Sequence, residues 1–346
     1  MHKTFCRHSV FIPKTSPTGT SEILLNGLLT SRIVMSSHPG RSPLWGPESG
    51  YSRSWFFWII ASLLVYVPLC VIVRRHQMRR MARRHVSREN MTLEEAYAIK
   101  CRLAEHEFPT VFSAAINSVF FKAESIPTIA KLIARAMQRS SPERKPRGPS
   151  VTPLDLLGRP GAPATIAAVD RVNRIHALYR PSGVMSDTDL LYVLSLFALE
   201  PERWMKRFEW RSLTTRERCA FATLWKALGE DLHIPFDALL PSGKEGFRDA
   251  LHWLQELEQW ARDYEAKNRK KSPESVFLGE KQLDARTKNV PRPLKRVARG
   301  FAAALIEPEL RQAMGTIRRI ETPPAATIFI VESIIRVRKF TALDLN

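Results

Sequence analysis

Of the nine histidines in the chain, His2, His8, His38, His76 and His85 fall in stretches too polar or too basic to build a core. His106, His176, His233 and His252 remain for folded structure. His176 is the most suggestive, because it closes an R-x-x-R-x-H pattern begun by Arg171 and Arg174. At about 100° per residue, Ala168, Val172, Ile175, Leu178 and Tyr179 share an apolar helix face. His176 then sits at the margin of that face, with Arg171 and Arg174 pointing away from its centre. An imidazole beside apolar side chains, with guanidinium groups close by, suits a buried iron or haem site. It suits an ordinary core histidine equally well. Glu217 shares a helix face with Phe221, Leu224 and Trp225, which places a carboxylate on the core side. It could do acid–base work or simply close a capping box with Thr214. Glu209 and Arg211 flank Trp210 and fit either a structural ion pair or a contact to a haem propionate. Trp253, Leu257, Trp260 and Tyr264 line one helical edge and read as packing. No dinucleotide, P-loop, zincin or nucleophile-elbow motif is present. The four cysteines are scattered without C-x-x-C spacing, which argues against a zinc knuckle or a disulfide framework.

The elements that must position these residues are helices. Thr92 and Glu95 form a capping box that starts one reaching about 106. Pro109 and Pro127 suit the first turns of helices over 110–121 and 127–138. Residues 140–163, crowded with Pro, Gly, Arg and Lys, read as a loop. Helices follow over 164–179 and 188–199. Thr214 with Glu217 caps one over 215–228 that Gly229 ends, and Ser242 with Glu245 caps another over 243–266. In the latter, Phe247, Leu251, Leu254, Leu257, Ala261 and Tyr264 make a continuous core stripe. After a basic break at 267–273, helical segments resume over 291–305, 307–315 and 325–340. No stretch alternates strictly, so the fold is expected to be all-α.

Ahead of this body the composition changes. Residues 1–53 are rich in Ser, Pro, Gly and Thr and read as a disordered leader. Residues 54–74 contain the uncharged run Trp55 to Val73, about 20 residues, enough for roughly 30 Å of hydrocarbon. Over 75–91, arginines crowd together after Arg74, including Arg75, Arg79, Arg80, Arg83, Arg84 and Arg88. Apolar span and basic flank together predict a single-pass anchor with the catalytic domain, 92–340, on the cytosolic side. The formal net charge of +19 is therefore read as attraction to lipid headgroups, not to nucleic acid.

From Thr92 to about Phe340 the chain resembles a known family. The matching stretches begin at Thr92 (TLEEAYAI), Ile126 (IPTIAKL), Arg174 (RIHALYR), Asp189 (DLLYVLSLFALEP), Phe208 (FEWRSLT), Phe221 (FATLWKALGE) and Leu240 (LPSGKEGFRDALHWL). They are similar to the fungal endoplasmic-reticulum-bound oxygenases of the mycophenolic acid type, which group with the bacterial latex-clearing proteins, or rubber oxygenases. The resemblance implies an all-helical domain that oxidatively cleaves a carbon–carbon double bond of a prenyl chain. It implies haem b with a histidine and a lysine as axial ligands. The histidine carries over to His176. Arg174 would then neighbour a propionate or dioxygen, with Glu209, Arg211 and Glu217 as supporting groups. The family's K-R-Y-x-D-T-like stretch is altered here to Arg144–Thr152, lacking the Tyr and Asp, and Lys145 is the lysine available as second ligand. The expectation is a membrane-anchored, haem-dependent oxygenase acting with dioxygen on a lipophilic prenylated or polyketide substrate. A cyclase or dehydratase using Glu217 or His176, or an inactive membrane scaffold, are the alternatives.

Overall fold

The computed structural model describes residues 91–139, 153–315 and 329–336, together with positions 57, 58, 60–62, 64–66, 68, 69, 71–73 and 76. Among the described residues every regular element is helical and no strand occurs. The expected leader, most of the basic flank and Lys145 lie outside the described residues.

The body opens with α1, Leu93–Cys101, under the expected Thr92–Glu95 capping box. A π-helical stretch, Arg102–Glu107, carries the chain into α2, Pro109–Ala123. Then come α3 (Pro127–Arg139), the short α4 (Pro153–Leu156) and α5 (Pro163–Tyr179). The long α6 spans Asp187–Phe208 and α7 spans Thr215–Asp231. After the single turn α8 (Phe236–Leu239) come α9 (Ala250–Asn268), α10 (Pro273–Arg286), α11 (Lys295–Ala304) and α12 (Pro308–Met314).

α6 is the central strut, because its apolar residues run around the whole circumference and a helix of that kind can only be buried. Leu191, Tyr192, Leu196 and Met205 are fully buried. α2 packs along it, α9 and α7 flank it, and α1 lies on α7. The expected stop at Leu199 is overrun by nine residues, and Pro201 lies inside the helix. Proline removes one backbone hydrogen bond, but Met205 and Phe208 beyond it are buried and hold the continuation in place. Buried Glu200 accepts hydrogen bonds from Lys122 of α2 at 2.9 Å and from Arg203 at 3.0 Å. Lys122 also reaches Glu307 at 2.9 Å, which ties the start of α12 to the core.

No helix among the described residues is long and apolar enough to cross a membrane. The expected span, 54–74, is described only in part. Its described positions are helical, with Phe57, Trp58, Leu64, Val65 and Ile72 exposed.

Candidate active site

His176 sits in the last turn of α5, a helix of 17 residues of which only Ala168 is fully buried. α5 is therefore pressed far less closely into the body than α6. Val169 and Val172 pack against the main core, while Ile175 and Leu178 are exposed, Leu178 to 75%. This reverses part of the sequence reading. Seen down the helix, Val169, Val172, Asn173 and His176 point one way, and Ile175 and Leu178 point another. The imidazole lies on the inward face, not at the margin of an Ile175–Leu178 face.

The ring is half-buried, and its Nδ1 is enclosed without a hydrogen-bond partner among the described residues. Burial pushes its pKa below the usual imidazole range, and the Arg180 guanidinium one turn on pushes the same way. The ring is therefore neutral at neutral pH, the form in which an imidazole ligates iron. Two contacts fix the helix that carries it. Asn173 Nδ2 donates to the Asp231 carbonyl at 2.8 Å, and Arg180 Nη2 donates to the His233 carbonyl at 2.9 Å. Arg180 also pairs with Asp187 at the start of α6.

Arg174 does not join His176. Two positions earlier on the helix, it is turned about 200° away and is exposed. Glu217 and Arg211 do meet, but elsewhere. Glu217 completes the Thr214 capping box and accepts both arms of Arg211, Nη1 at 2.7 Å and Nη2 at 2.9 Å. It also accepts from Arg102 Nη2 at 2.7 Å, from the Thr214 amide at 2.8 Å and from the Thr214 hydroxyl at 3.0 Å. Burial alone would raise its pKa, but the Arg211 fork and Thr214 hold it below the usual carboxylate value. A carboxylate so saturated and so firmly ionised has no proton to give and no lone pair to spare. Of the two readings of Glu217, this geometry favours the capping box with Thr214.

Arg211 is equally committed, since its Nε donates to Glu107 at 2.7 Å and its Nη1 also reaches the Ser212 carbonyl at 3.1 Å. No arm is left for a propionate. Glu107, which shares that guanidinium with Glu217, is raised by its burial. Glu209 is buried at the end of α6, where its amide donates to the Met205 carbonyl at 2.9 Å. The Arg211–Glu217 cluster and His176 also lie at opposite ends of α7. Glu217 is in its first turn, while Asn173 bonds Asp231 at its last residue. Fourteen residues of helix separate those ends by about 21 Å. The structure thus divides the expected constellation into an inward imidazole and a distant ion-pair network.

One group went unread in the sequence. Glu124, in the turn after α2, is 4% exposed, its Oε2 has no partner, and Oε1 accepts from Gln282 Nε2 at only 3.3 Å. Burial pushes it up to about 7, opposed by that hydrogen bond and by Arg286. Nothing local marks it, since A-E-S-I reads as a polar turn and its burial comes from α10 folding back. His106 and His233 are exposed, and His252 pairs with Glu256 at 3.2 Å, so none of these competes with His176. No group of three or more His, Cys, Asp or Glu side chains able to hold a metal ion occurs among the described residues. A surface groove of about 350 Å³ runs along the outer side of α7, walled by Met91, Leu93, Cys219 and Phe247, without His176.

An all-helical body with a neutral, inward imidazole on a loosely packed helix defines a candidate single-histidine cofactor site. The family described as "ER-bound oxygenase mpaB/B'/Rubber oxygenase, catalytic domain" matches residues 149–334. The chain belongs to that family and is an oxygenase of its type. The ER-bound oxygenase mpaB' of Penicillium brevicompactum is 33% identical over 301 residues, covering 84% of this chain and 70% of that one. The ER-bound oxygenase mpaB of Penicillium roqueforti is 34% identical over 270 residues, covering 75% of this chain and 90% of that one. The mpaB of P. brevicompactum is 36% identical over 228 residues, covering 63% of this chain and 58% of its own length.

Proposed function

We propose that the chain is a membrane-anchored, haem-dependent oxygenase of fungal secondary metabolism that cleaves or modifies a carbon–carbon double bond in a prenylated or polyketide-type substrate. The observation that carries the haem part is the His176 ring: inward-facing, neutral, with a buried nitrogen that no described residue satisfies. A buried polar atom without a partner is uncommon and calls for an explanation. A ring nitrogen lent to a cofactor supplies one. His176 would hold the haem, and Lys145, outside the described residues, is the proposed second residue holding it. When bound, haem supplies activation of dioxygen.

This chain's own residues do the rest. Burial keeps the imidazole unprotonated and so able to ligate. Asn173 and Arg180, bonded to the far end of α7, fix the rotation and height of α5, which sets where the ring points. Val169 and Val172, on the same side of α5, pack against the main core and hold that side of the helix inward. The Arg211–Glu217–Glu107 cluster contributes rigidity at the other end of α7, not chemistry.

The anchor reading rests on the uncharged run Trp55 to Val73, the arginines after it, and the exposed apolar side chains at the described positions there. It agrees with the words "ER-bound" in the relatives' names. Tethering to the endoplasmic reticulum, domain on the cytosolic side, concentrates an oily substrate that itself partitions into the bilayer. The test is turnover of a farnesylated aromatic by the full chain in detergent under ¹⁸O₂. Label in a shortened aldehyde or acid product supports the reading. Product formed without oxygen, or without label, refutes it.

A further inference from the structure

Between α10 and α11 the chain presents a surface that the oxygenase chemistry leaves unused. Residues 291–297, PRPLKRV, are exposed without interruption. Leu294 is 50% and Val297 55% accessible. Near them in the sequence are Lys288, Arg292, Lys295 and Arg296, all exposed. No acidic residue occurs from 285 to 306. The acidic side chains of α10 that come nearest in sequence, Glu280 and Asp284, are both engaged by Arg299. The four cations make no ion pair with any described residue.

Leu294 and Val297 thus share one exposed stretch of chain with four cations, an apolar and basic combination. Single-stranded nucleic acid would use the charges, but it draws on aromatic platforms for its bases, and 288–297 contains no aromatic residue. An anionic bilayer uses both features: cations on the headgroups, and branched apolar side chains at the acyl boundary. We propose that residues 288–297 form a second membrane contact that docks the catalytic domain on the anionic leaflet. This contact is separate from the anchor at 54–74, and it fixes which side of the domain faces the lipid.

The test is hydrogen exchange across 288–298 in the full chain, reconstituted in nanodiscs of phosphatidylcholine alone or with phosphatidylserine. Each cation near an anionic leaflet strengthens binding by about fivefold. Exchange is therefore expected to slow by at least about fivefold with phosphatidylserine, and high salt should reverse the effect. Lys295→Glu with Arg296→Glu should abolish the protection, Lys295→Arg with Arg296→Lys should keep it, and Leu294→Ser with Val297→Ser should weaken it with the charge intact. Unchanged helical circular dichroism shows that each variant is folded. Equal exchange in both lipids, or protection that survives the charge reversal, overturns the proposal. So does protection of the same amides by polyuridylate when phosphatidylserine gives none. If the anchor reading itself fails, the protein will not enter phosphatidylcholine discs. Cosedimentation with phosphatidylserine vesicles then still reports on this patch alone.

Discussion

Glu217 and Glu124 are both buried glutamates, yet their surroundings drive them in opposite directions. Around Glu217 the donors of Arg211, Arg102 and Thr214 outweigh desolvation. Removing its charge by Glu217→Gln leaves Arg211 and Arg102 short of a counter-charge. The expected cost is about 3–5 kcal/mol in urea unfolding, with haem content per folded molecule unchanged. Loss of haem from a still-folded variant would return Glu217 to the site. Around Glu124, desolvation wins. Its folded-state carboxyl keeps the proton to about pH 7, against 4.5 for the ordinary group. The folded state therefore binds more protons than the unfolded state between those values, and stability falls as pH rises through the window. The whole effect is on the order of 3 kcal/mol. Glu124→Gln should flatten that slope in denaturant melts run from about pH 5 to about pH 8. An unchanged slope would show that Glu124 is ionised in the fold. The sequence exposed Glu217 readily, because its capping partner is three residues away. Glu124 was hidden because the groups that bury and face it, Gln282 and Arg286, are remote in the chain. His176 was singled out by its residue pattern and by resemblance. The inward ring is as expected, but Ile175 and Leu178 do not share its face, because hydrophobicity alone does not fix burial, which depends on what packs opposite.

At the scale of elements, start signals that pair residues three apart were sound twice and misleading once. Thr92–Glu95 and Thr214–Glu217 both close capping boxes. Ser242 instead spends its side chain on Glu256, and α9 begins only at Ala250 under Asp249. Gly243 and Gly246 explain the difference. Gly246 has φ of +93°, outside the helical region, and Gly243 packs so tightly that a Cβ there would lie 2.0 Å from the Phe236 carbonyl oxygen. Phe247 therefore lies outside the helix of which it was expected to form the first stripe residue. Leu254, Leu257 and Ala261 are buried as read, and Trp253 packs in the core. Ser272 and Pro273 are good start signals for α10, but the basic residues around them look like a break in the sequence. Gly229 was read as a stop but lies inside α7, where it lets α6 and α8 approach. A Cβ there would meet Leu194 Cδ2 at 2.6 Å and Phe236 Cζ at 2.5 Å. Gly229→Ala should destabilise by about 1–3 kcal/mol, although alanine is the better helix former. A melting temperature at or above that of the parent would contradict the close packing of α6 and α8 against α7.

For the whole molecule, the absence of strict alternation was enough to give the helical class, and helices fill every regular element of the described residues. What could not be read was which residues the helices bring together, since the resemblance named one site and packing produced two. α7 acts as a spacer, with a rigid ion-pair network at its start and the His176 helix fastened to its end. The most direct test is the absorbance of purified full-chain protein supplied with haem, compared with its His176→Ala, Arg174→Ala and Glu217→Gln variants. A Soret band that only His176→Ala removes, with helical content intact, is the expected result. A band of full strength in His176→Ala would contradict the assignment of position 176 as the cofactor ligand.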